Sequence, residues 1–317
     1  MSAQKTTSVH SGARQGPVNT ARRLFILACV RRVVQLAILA LFIGTARLGW
    51  AVLGKPLLSG DLTSSLFAGT IPLADPFAFV QKLFAGHAPE MTMVVGAAIV
   101  LAVYIVAGGR AFCAWVCPMN IVTDAAASVR QALHLRSDWL RVHRNTRYAI
   151  AVGALAASVV TGTAAFEWVS PQAFLWREAI WGVGLGFFAS VLGVFALDLL
   201  VVQRGWCGHL CPLGAFWSVV GKVGVLKPLF DDARCTRCAE CLKVCPEPQV
   251  INFKDAARRG MIASGECTSC GRCAAVCPEN AIVFAPRFRA RPGVPTQNSK
   301  SLMGIVDIFD KATHGQE

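Results

Sequence analysis

Two copies of one cysteine spacing occupy the last third of the chain, and no other feature restricts its fold as much. The first reads Cys235-x2-Cys238-x2-Cys241-x3-Cys245-Pro246 and the second Cys267-x2-Cys270-x2-Cys273-x3-Cys277-Pro278. Three closely spaced thiolates hold one [4Fe-4S] cube, and the fourth, placed before proline, reaches across to the other cube. The pattern assigns Cys235, Cys238, Cys241 and Cys277 to one cluster and Cys267, Cys270, Cys273 and Cys245 to a second. Eight thiolates can also hold two zinc ions, but structural zinc sites carry paired C-x2-C knuckles rather than triplets followed by Cys-Pro.

The rest of the chain is written for lipid. Of its residues 54% are hydrophobic and 15% charged, where a soluble chain carries about 25% charge. Four apolar runs stand out: Val33–Leu53, Met91–Ala107, Tyr148–Phe166 and Ala179–Val202. A hydrocarbon core of about 30 Å needs roughly 20 apolar residues as helix. Arg47 interrupts the first run and can snorkel to the interface beside Trp50. The net charge of +13 has a topological cause and does not point to nucleic acid. Of the 31 Lys and Arg, all but Arg47, Lys55, Lys82 and Arg177 lie in residues 1–32, 108–147 and 203–317. Positive flanks stay in the cytoplasm, so both termini and the cysteine-rich module are expected inside. The predicted fold is an α-helical polytopic membrane protein with four transmembrane helices, N-in and C-in. It carries a C-terminal cytoplasmic α+β domain of the bacterial 2[4Fe-4S] ferredoxin type.

The expected domains are a cytoplasmic basic segment (1–32), a four-helix membrane domain (33–229), the ferredoxin domain (230–284) and a basic linker and tail (285–317). Within the tail, Pro286–Pro295 reads as an extended linker, and Ser301–Lys311 has apolar residues at helical spacing. Residues 1–20 are polar and read as disordered.

A second cysteine repeat follows the second and fourth runs. It reads Arg110-x2-Cys113-x3-Cys117-Pro118 and Arg204-x2-Cys207-x3-Cys211-Pro212. If helical, this spacing puts both thiols of a pair on one face, and the proline ends that helix or starts the next. Four thiols at one interface can hold a third metal or cluster, form reversible disulfides, or fill space as buried cysteines. Duplication of the whole motif favours redox or metal chemistry, and the choice between cluster and thiol/disulfide stays open. Cys29, alone in an apolar stretch, reads as a packing residue.

No C-x2-C-H haem-attachment motif is present, and none of the six histidines lies inside a predicted span. No G-x-G-x-x-G follows a strand pattern, so neither haem nor flavin is expected.

The stretches Ser64–Phe67, Ile71–Phe77, Phe112–Asn120 and Gly205–Gly214, with both cluster motifs, resemble the NapH family. The likeness runs from about Arg31 to Phe284. NapH is the membrane ferredoxin-type subunit of the NapG–NapH quinol dehydrogenase that serves periplasmic nitrate reductase, and MauN of methylamine oxidation is a close relative. The resemblance implies a multi-pass protein of the bacterial inner membrane that takes electrons from quinol. Its implied partners are the quinone pool, a NapG-like periplasmic iron–sulfur protein and a NapC-like cytochrome. The alternative is a membrane redox or metal maturation factor for a respiratory enzyme.

Quinol oxidation releases two protons, so a base near the interface is expected. Asp198 is the acidic residue well inside a span, where carboxylates are costly and by default functional. Its bland role is pairing with Arg204 or Arg110. The long loop 54–90 offers Asp61, Asp75, which more often begins a turn at Asp-Pro, and His87, which more often is a solvated loop histidine. Glu167, beside Trp168, is a further proton acceptor or an interfacial anchor.

Overall fold

A computed structural model describes residues 17–52, 55–60, 63–88, 90–135, 139–140 and 142–290. Asp61, most of residues 1–20 and the 301–311 segment lie outside the described residues. The chain divides into two compact units. One is Ala28–Lys227 together with Ala263–Cys270, and the other takes Pro228–Ile262 with the segments before Ala28 and after Cys270.

The larger unit is helical. α1 (Pro17–Leu48) begins on proline, whose fixed φ suits a first turn. Within its stretch Thr20–Leu48, an 18-residue window reaches a mean hydropathy of 2.2, and at 1.5 Å per residue the stretch is about 44 Å long. It is the one helix among the described residues long and apolar enough to cross a bilayer. It stops at Leu48, short of the expected Leu53, because Trp50 folds back and its N–H reaches Gly44 O at 3.3 Å.

The segment read as a loop is structured. β1 (Ala51–Val52) pairs with β2 (Lys55–Pro56), and β3 (Leu58–Gly60), β4 (Ser64–Phe67) and β5 (Ile71–Ala74) form an antiparallel meander. α2 (Pro76–Phe84) follows, capped by Asp75, whose Oδ1 accepts the Phe77 N–H at 2.9 Å. β5 packs against α3 (Met91–Ala107) where Gly96 leaves no side chain between helix and strand backbone.

α3 ends at Gly108 and Gly109, both left-handed with φ of 103° and 69°. This double turn sends α4 (Ala111–Trp115) in a new direction, and α5 (Met119–Ala132) follows Pro118. α6 (Thr146–Thr161) stops at left-handed Gly162, earlier than the expected Phe166. The fourth apolar run is broken at residues 182–184 between α7 (Pro171–Trp181) and α8 (Leu185–Ala196). Glu178 stabilises the break, accepting the N–H groups of Gly184 at 2.9 Å and Phe187 at 2.6 Å. A carboxylate at a helix N-terminus satisfies donors that have no helical partner. α8 runs into a π-turn (Leu197–Val201), a second π-turn spans Trp206–Leu210, and α9 (Pro212–Gly221) closes the unit. α3, α6 and the α8 stretch to Val201 are apolar but shorter than α1.

Polarity is inverted relative to a water-soluble bundle. Val160 and Leu185 are 87% and 86% exposed, while Arg31, Arg110 and Arg147 are buried. The inner packing is aromatic: Trp217 of α9 lies 4.8 Å from the Tyr104 ring and stacks at 5.9 Å on Phe112.

In the smaller unit, β6 (Leu226–Phe230) pairs with β7 (Ile282–Pro286), and α10 (Glu240–Val244) packs on α12 (Arg272–Val276). The insertion between the cysteine motifs forms α11 (Phe253–Arg259), capped by Asn252 and ended by left-handed Gly260.

Asp124 of α5 ties three arginines together: Arg32 at 2.5 Å, Arg204 at 3.1 Å and Arg31 at 3.7 Å. Removing one partner of a shielded ion network leaves uncompensated charge and costs about 3 kcal/mol or more. Asp124→Ala is expected to destabilise the helical unit by that amount in detergent unfolding. A loss below about 1 kcal/mol would show that the cluster does not act as a tie.

Candidate metal centres

The four cysteines of the Arg-x2-Cys-x3-Cys-Pro repeats lie on four short pieces of chain. Cys113 is on α4 and Cys117 lies just past its end; Cys207 is on the second π-turn and Cys211 is extended ahead of α9. Neither pair occupies a single α-helix. Pro118 and Pro212 instead start the next helices. The four thiols nevertheless converge. Cys117 is close to Cys113 and Cys211, and Cys207 is close to the other three. Burial first, then mutual proximity, raises Cys117 and Cys207 above the ordinary thiol range and pushes Cys211 up to about 11. Four neighbouring buried thiols do not ionise together unless a cationic centre offsets their charge.

Donors from distant elements fix these loops by their carbonyls. Arg31 Nε and Gln35 Nε2 donate to Ala114 O at 3.1 and 3.0 Å, and Gln35 also reaches Cys117 O at 3.3 Å. Arg110 Nη2 donates to Cys207 O at 3.2 Å, and Arg147 Nη1 to Gly208 O at 3.3 Å. The segment Ala263–Cys270 is held by the same side chains. Arg110 Nη1 donates to Glu266 O at 2.9 Å, Trp115 Nε1 to Ser269 O at 3.1 Å, and Arg147 pairs with the Glu266 carboxylate. Cys267 and Cys270 thus sit in the helical unit. Burial raises the Cys267 thiol to about 11 against the pull of nearby Lys227 and Arg110.

In the smaller unit, Cys241 lies near Cys235, Cys238 and Cys277, and burial with these neighbours pushes its thiol up to about 12. The local geometry repeats. Left-handed Ala239 precedes α10 and left-handed Gly271 precedes α12, and each helix ends in an extended cysteine followed by proline. The Ala281 N–H donates to Cys277 Sγ at 3.2 Å. Cys245 and Cys273 also belong to this unit. Among the described residues, no three His, Cys, Asp or Glu side chains stand close enough to hold a single ion. A lone tetrahedral ion with thiolate bonds of about 2.3 Å needs sulfurs about 3.8 Å apart. Thiols that sense one another from farther apart suit a group with internal volume of its own.

The proposed proton acceptors have separate fates. Asp198 makes no hydrogen bond to Arg204 or Arg110, although the Arg204 and Arg130 charges act on it. Its Oδ1 accepts the Trp206 N–H at 3.0 Å, bracing the turn that carries Cys207, while Arg204 goes to Asp124. His87 is exposed and its Nε2 meets Gly162 O at 2.8 Å, joining the end of α2 to the end of α6. Asp75 faces Glu167, and both line a recess with Gln172, Trp176 and Arg177. Burial, then Glu167, raises Asp75 from the usual carboxylate range to about 7. Cys117 Sγ donates to Gln172 Oε1 at 3.5 Å, so the recess adjoins the four-thiol core. The sequence reading missed Gln35, Gln172 and Trp176. Gln35 had a signal, an amide within an apolar run; the other two had none.

Comparison with known proteins bears on both cysteine systems. A 4Fe-4S binding domain family matches residues 90–141 and 183–230, which hold the two Cys-x3-Cys-Pro motifs. A 4Fe-4S dicluster domain family matches residues 227–278. The ferredoxin-type protein NapH of Haemophilus influenzae is 41% identical over 223 residues, 70% of this chain and 75% of that protein. NapH of Escherichia coli is 39% identical over 224 residues, with the same two shares of 70% and 75%. The methylamine utilization ferredoxin-type protein MauN of Methylorubrum extorquens is 41% identical over 223 residues, again 70% and 75%. No solved structure matches the chain.

The raised Asp75 makes stability depend on pH. Its folded value of about 7 lies above the ordinary 3.8, so the fold favours the protonated form. That contribution is fully present below about pH 4 and is lost as pH rises to about 7. Thermal unfolding in micelles across this window should show the decline, and Asp75→Asn should flatten it. An unchanged slope in the variant would assign the decline to other groups.

Proposed function

Because the chain belongs to the family of ferredoxin-type iron–sulfur proteins that includes NapH and MauN, we propose that it is a multi-span membrane subunit that oxidises quinol. It delivers the electrons to a periplasmic iron–sulfur partner of the NapG kind. The observation that carries this reading is the convergence of Cys113, Cys117, Cys207 and Cys211 between two features. On one side lies the segment bearing Cys267 and Cys270, and on the other the recess with Asp75 and Glu167.

In this reading the four-thiol core holds a third cluster. Cys235, Cys238, Cys241 and Cys277 hold one ferredoxin cluster, and Cys267, Cys270, Cys273 and Cys245 the other. Clusters at these places supply one-electron donors and acceptors at fixed positions. The chain's own residues do the positioning: Arg110, Trp115 and Gln35 fix the loops, and Gln172 sets the wall toward the recess.

The four-span, N-in and C-in arrangement is part of the proposal. Exposed valines and leucines on α3, α6 and α8, such as Val103, Val152 and Leu192, support it, as does the distribution of Lys and Arg. At 17 and 16 residues, α3 and α6 are about 25 Å long, close to the thickness of the hydrocarbon core. Loop 54–90 then faces the periplasm and the ferredoxin domain the cytoplasm. Identity to NapH and to MauN is the same 41%, which supports a second reading in which the acceptor serves methylamine rather than nitrate metabolism.

Anaerobically purified protein is expected to carry about 12 iron and 12 sulfide per chain. Serine at Cys113, Cys117, Cys207 and Cys211 should reduce this to about 8 of each and remove one paramagnetic signal. Quinol alone should reduce at least one cluster in the unaltered protein. Reduction by dithionite only would favour a maturation factor, and equal iron in wild type and variant would rule out the third cluster.

A further inference from the structure

We propose that the recess beside α7 is the quinol head-group site, with the Trp176 indole as its buried donor and the Asp75–Glu167 pair as its proton acceptor. The assignment rests on the quinol reading above and says where that chemistry occurs.

The recess encloses about 30 Å³ and is open at its mouth, well below the roughly 300 Å³ of a closed small-molecule site, so a head group enters by its edge and lies largely at the mouth. Its walls mix apolar and polar character, as an aromatic diol requires: Trp176 and Leu213 on one hand, and Asp75, Glu167, Gln172 and Arg177 on the other. Trp176 is only 2% exposed, yet its Nε1–H has no hydrogen-bond partner. A buried donor without a partner costs about 1–3 kcal/mol, and Trp176 lines the recess, so the proposed site gives this donor to a ring oxygen. Phe42 meets the indole edge-on at 5.0 Å and holds it in place. Arg177 is exposed and offers a second, charge-assisted donor.

The acid pair suits a proton acceptor. Asp75 is anchored by the Phe77 N–H at 2.9 Å, and Glu167 accepts from Thr63 Oγ1 at 3.2 Å. Two facing carboxylates do not readily hold two negative charges in a half-buried site, so the pair binds a proton near neutrality. Among the described residues, Glu167 and Tyr104 are the ionisable groups that act on Asp75, and Arg177 lines the same recess.

Conversion of quinol to quinone breaks two O–H bonds. The two protons pass in turn to the Asp75–Glu167 pair and on to water at the mouth. Iron–sulfur clusters held by the chain's thiols would accept the two electrons one at a time. The nearest such thiol, Cys117, touches Gln172 at 3.5 Å on the recess wall. Leu213 lines the recess two residues beyond Cys211.

The test uses the full-length, cluster-loaded protein in lipid nanodiscs with a short-chain ubiquinone, the binding being followed by calorimetry. Trp176→Phe keeps the ring and removes the donor, and should weaken binding about tenfold. Asp75→Asn should bind quinone with little change but slow cluster reduction by quinol about 100-fold. It should also shift the pH profile of that reduction. Iron content and the dithionite-reduced spectrum report whether each variant is intact. Wild-type affinity in intact Trp176→Phe, together with an unaltered rate and pH profile in Asp75→Asn, would overturn the site. Failure of the unaltered protein to bind the quinone would overturn it as well. If wild type binds quinone and Trp176→Phe weakens it, yet quinol reduces no cluster, the site stands and the electron-transfer reading fails.

Discussion

Arg110 joins three separate stretches of chain at one buried point. It follows the double-glycine turn after α3, precedes Cys113, and donates to the carbonyls of Cys207 and Glu266. One guanidinium thereby sets the first Cys-x3-Cys-Pro loop against the second, and both against the loop bearing Cys267 and Cys270. The rigid fork of arginine can satisfy two carbonyls at once, which a lysine ammonium cannot do with the same geometry. Arg147 reinforces the arrangement through Gly208 O and the Glu266 carboxylate. The duplicated motif is thus not mere repetition. Each copy presents carbonyls that arginines and a glutamine from elsewhere can hold, and the thiols face inward as a result.

The helices around this core are short or broken, and the breaks do the positioning. A continuous fourth span would carry Gln172 and Trp176 away from Leu213. Instead α7 ends at Trp181, Glu178 caps the restarted helix, and the α7 face with Leu175 and Trp176 turns inward. Non-helical backbone of this kind is tolerated at membrane depth only where protein buries it. Here the exposed π-turn and loop carbonyls find Arg130, Arg110 and Arg147. Buried arginines beneath an apolar exterior are therefore the condition for having cysteine loops inside the bundle at all.

Much of this was legible beforehand. Both cysteine repeats are local patterns whose chemistry depends on spacing, and each falls within a stretch matched by a 4Fe-4S family. The apolar runs located α3, α6 and α8 to within a turn or two and the end of α1 to within two, but α1 begins at Pro17, sixteen residues ahead of the expected Val33. What failed depended on contacts far apart in sequence. Residues 55–74 read as loop because each strand is two to four residues long, too short for alternation to register. The pairing of Arg204 with Asp124 rather than Asp198 follows from how α5 approaches the second motif. Gln172 and Trp176 are ordinary helix residues until α7 turns beside Cys117.

Under the proposed topology a hydrocarbon thickness, about 30 Å, separates ferredoxin thiols on the inside from an acceptor on the far side. The helical unit narrows that gap without adding a domain. Cys267 and Cys270 enter it on the Ala263–Cys270 segment, Trp115 and Arg110 bind that segment to the loops of Cys113 and Cys207, and Cys117 touches Gln172 at the recess wall. Each step is a packed or hydrogen-bonded contact within one compact unit. Under the proposed topology the recess, with loop 54–90, opens toward the periplasm. Protons released there would leave on that side. If the four thiols are redox-active, as proposed, their place inside the helical unit rather than on its surface sets them beside both the Ala263–Cys270 segment and the recess.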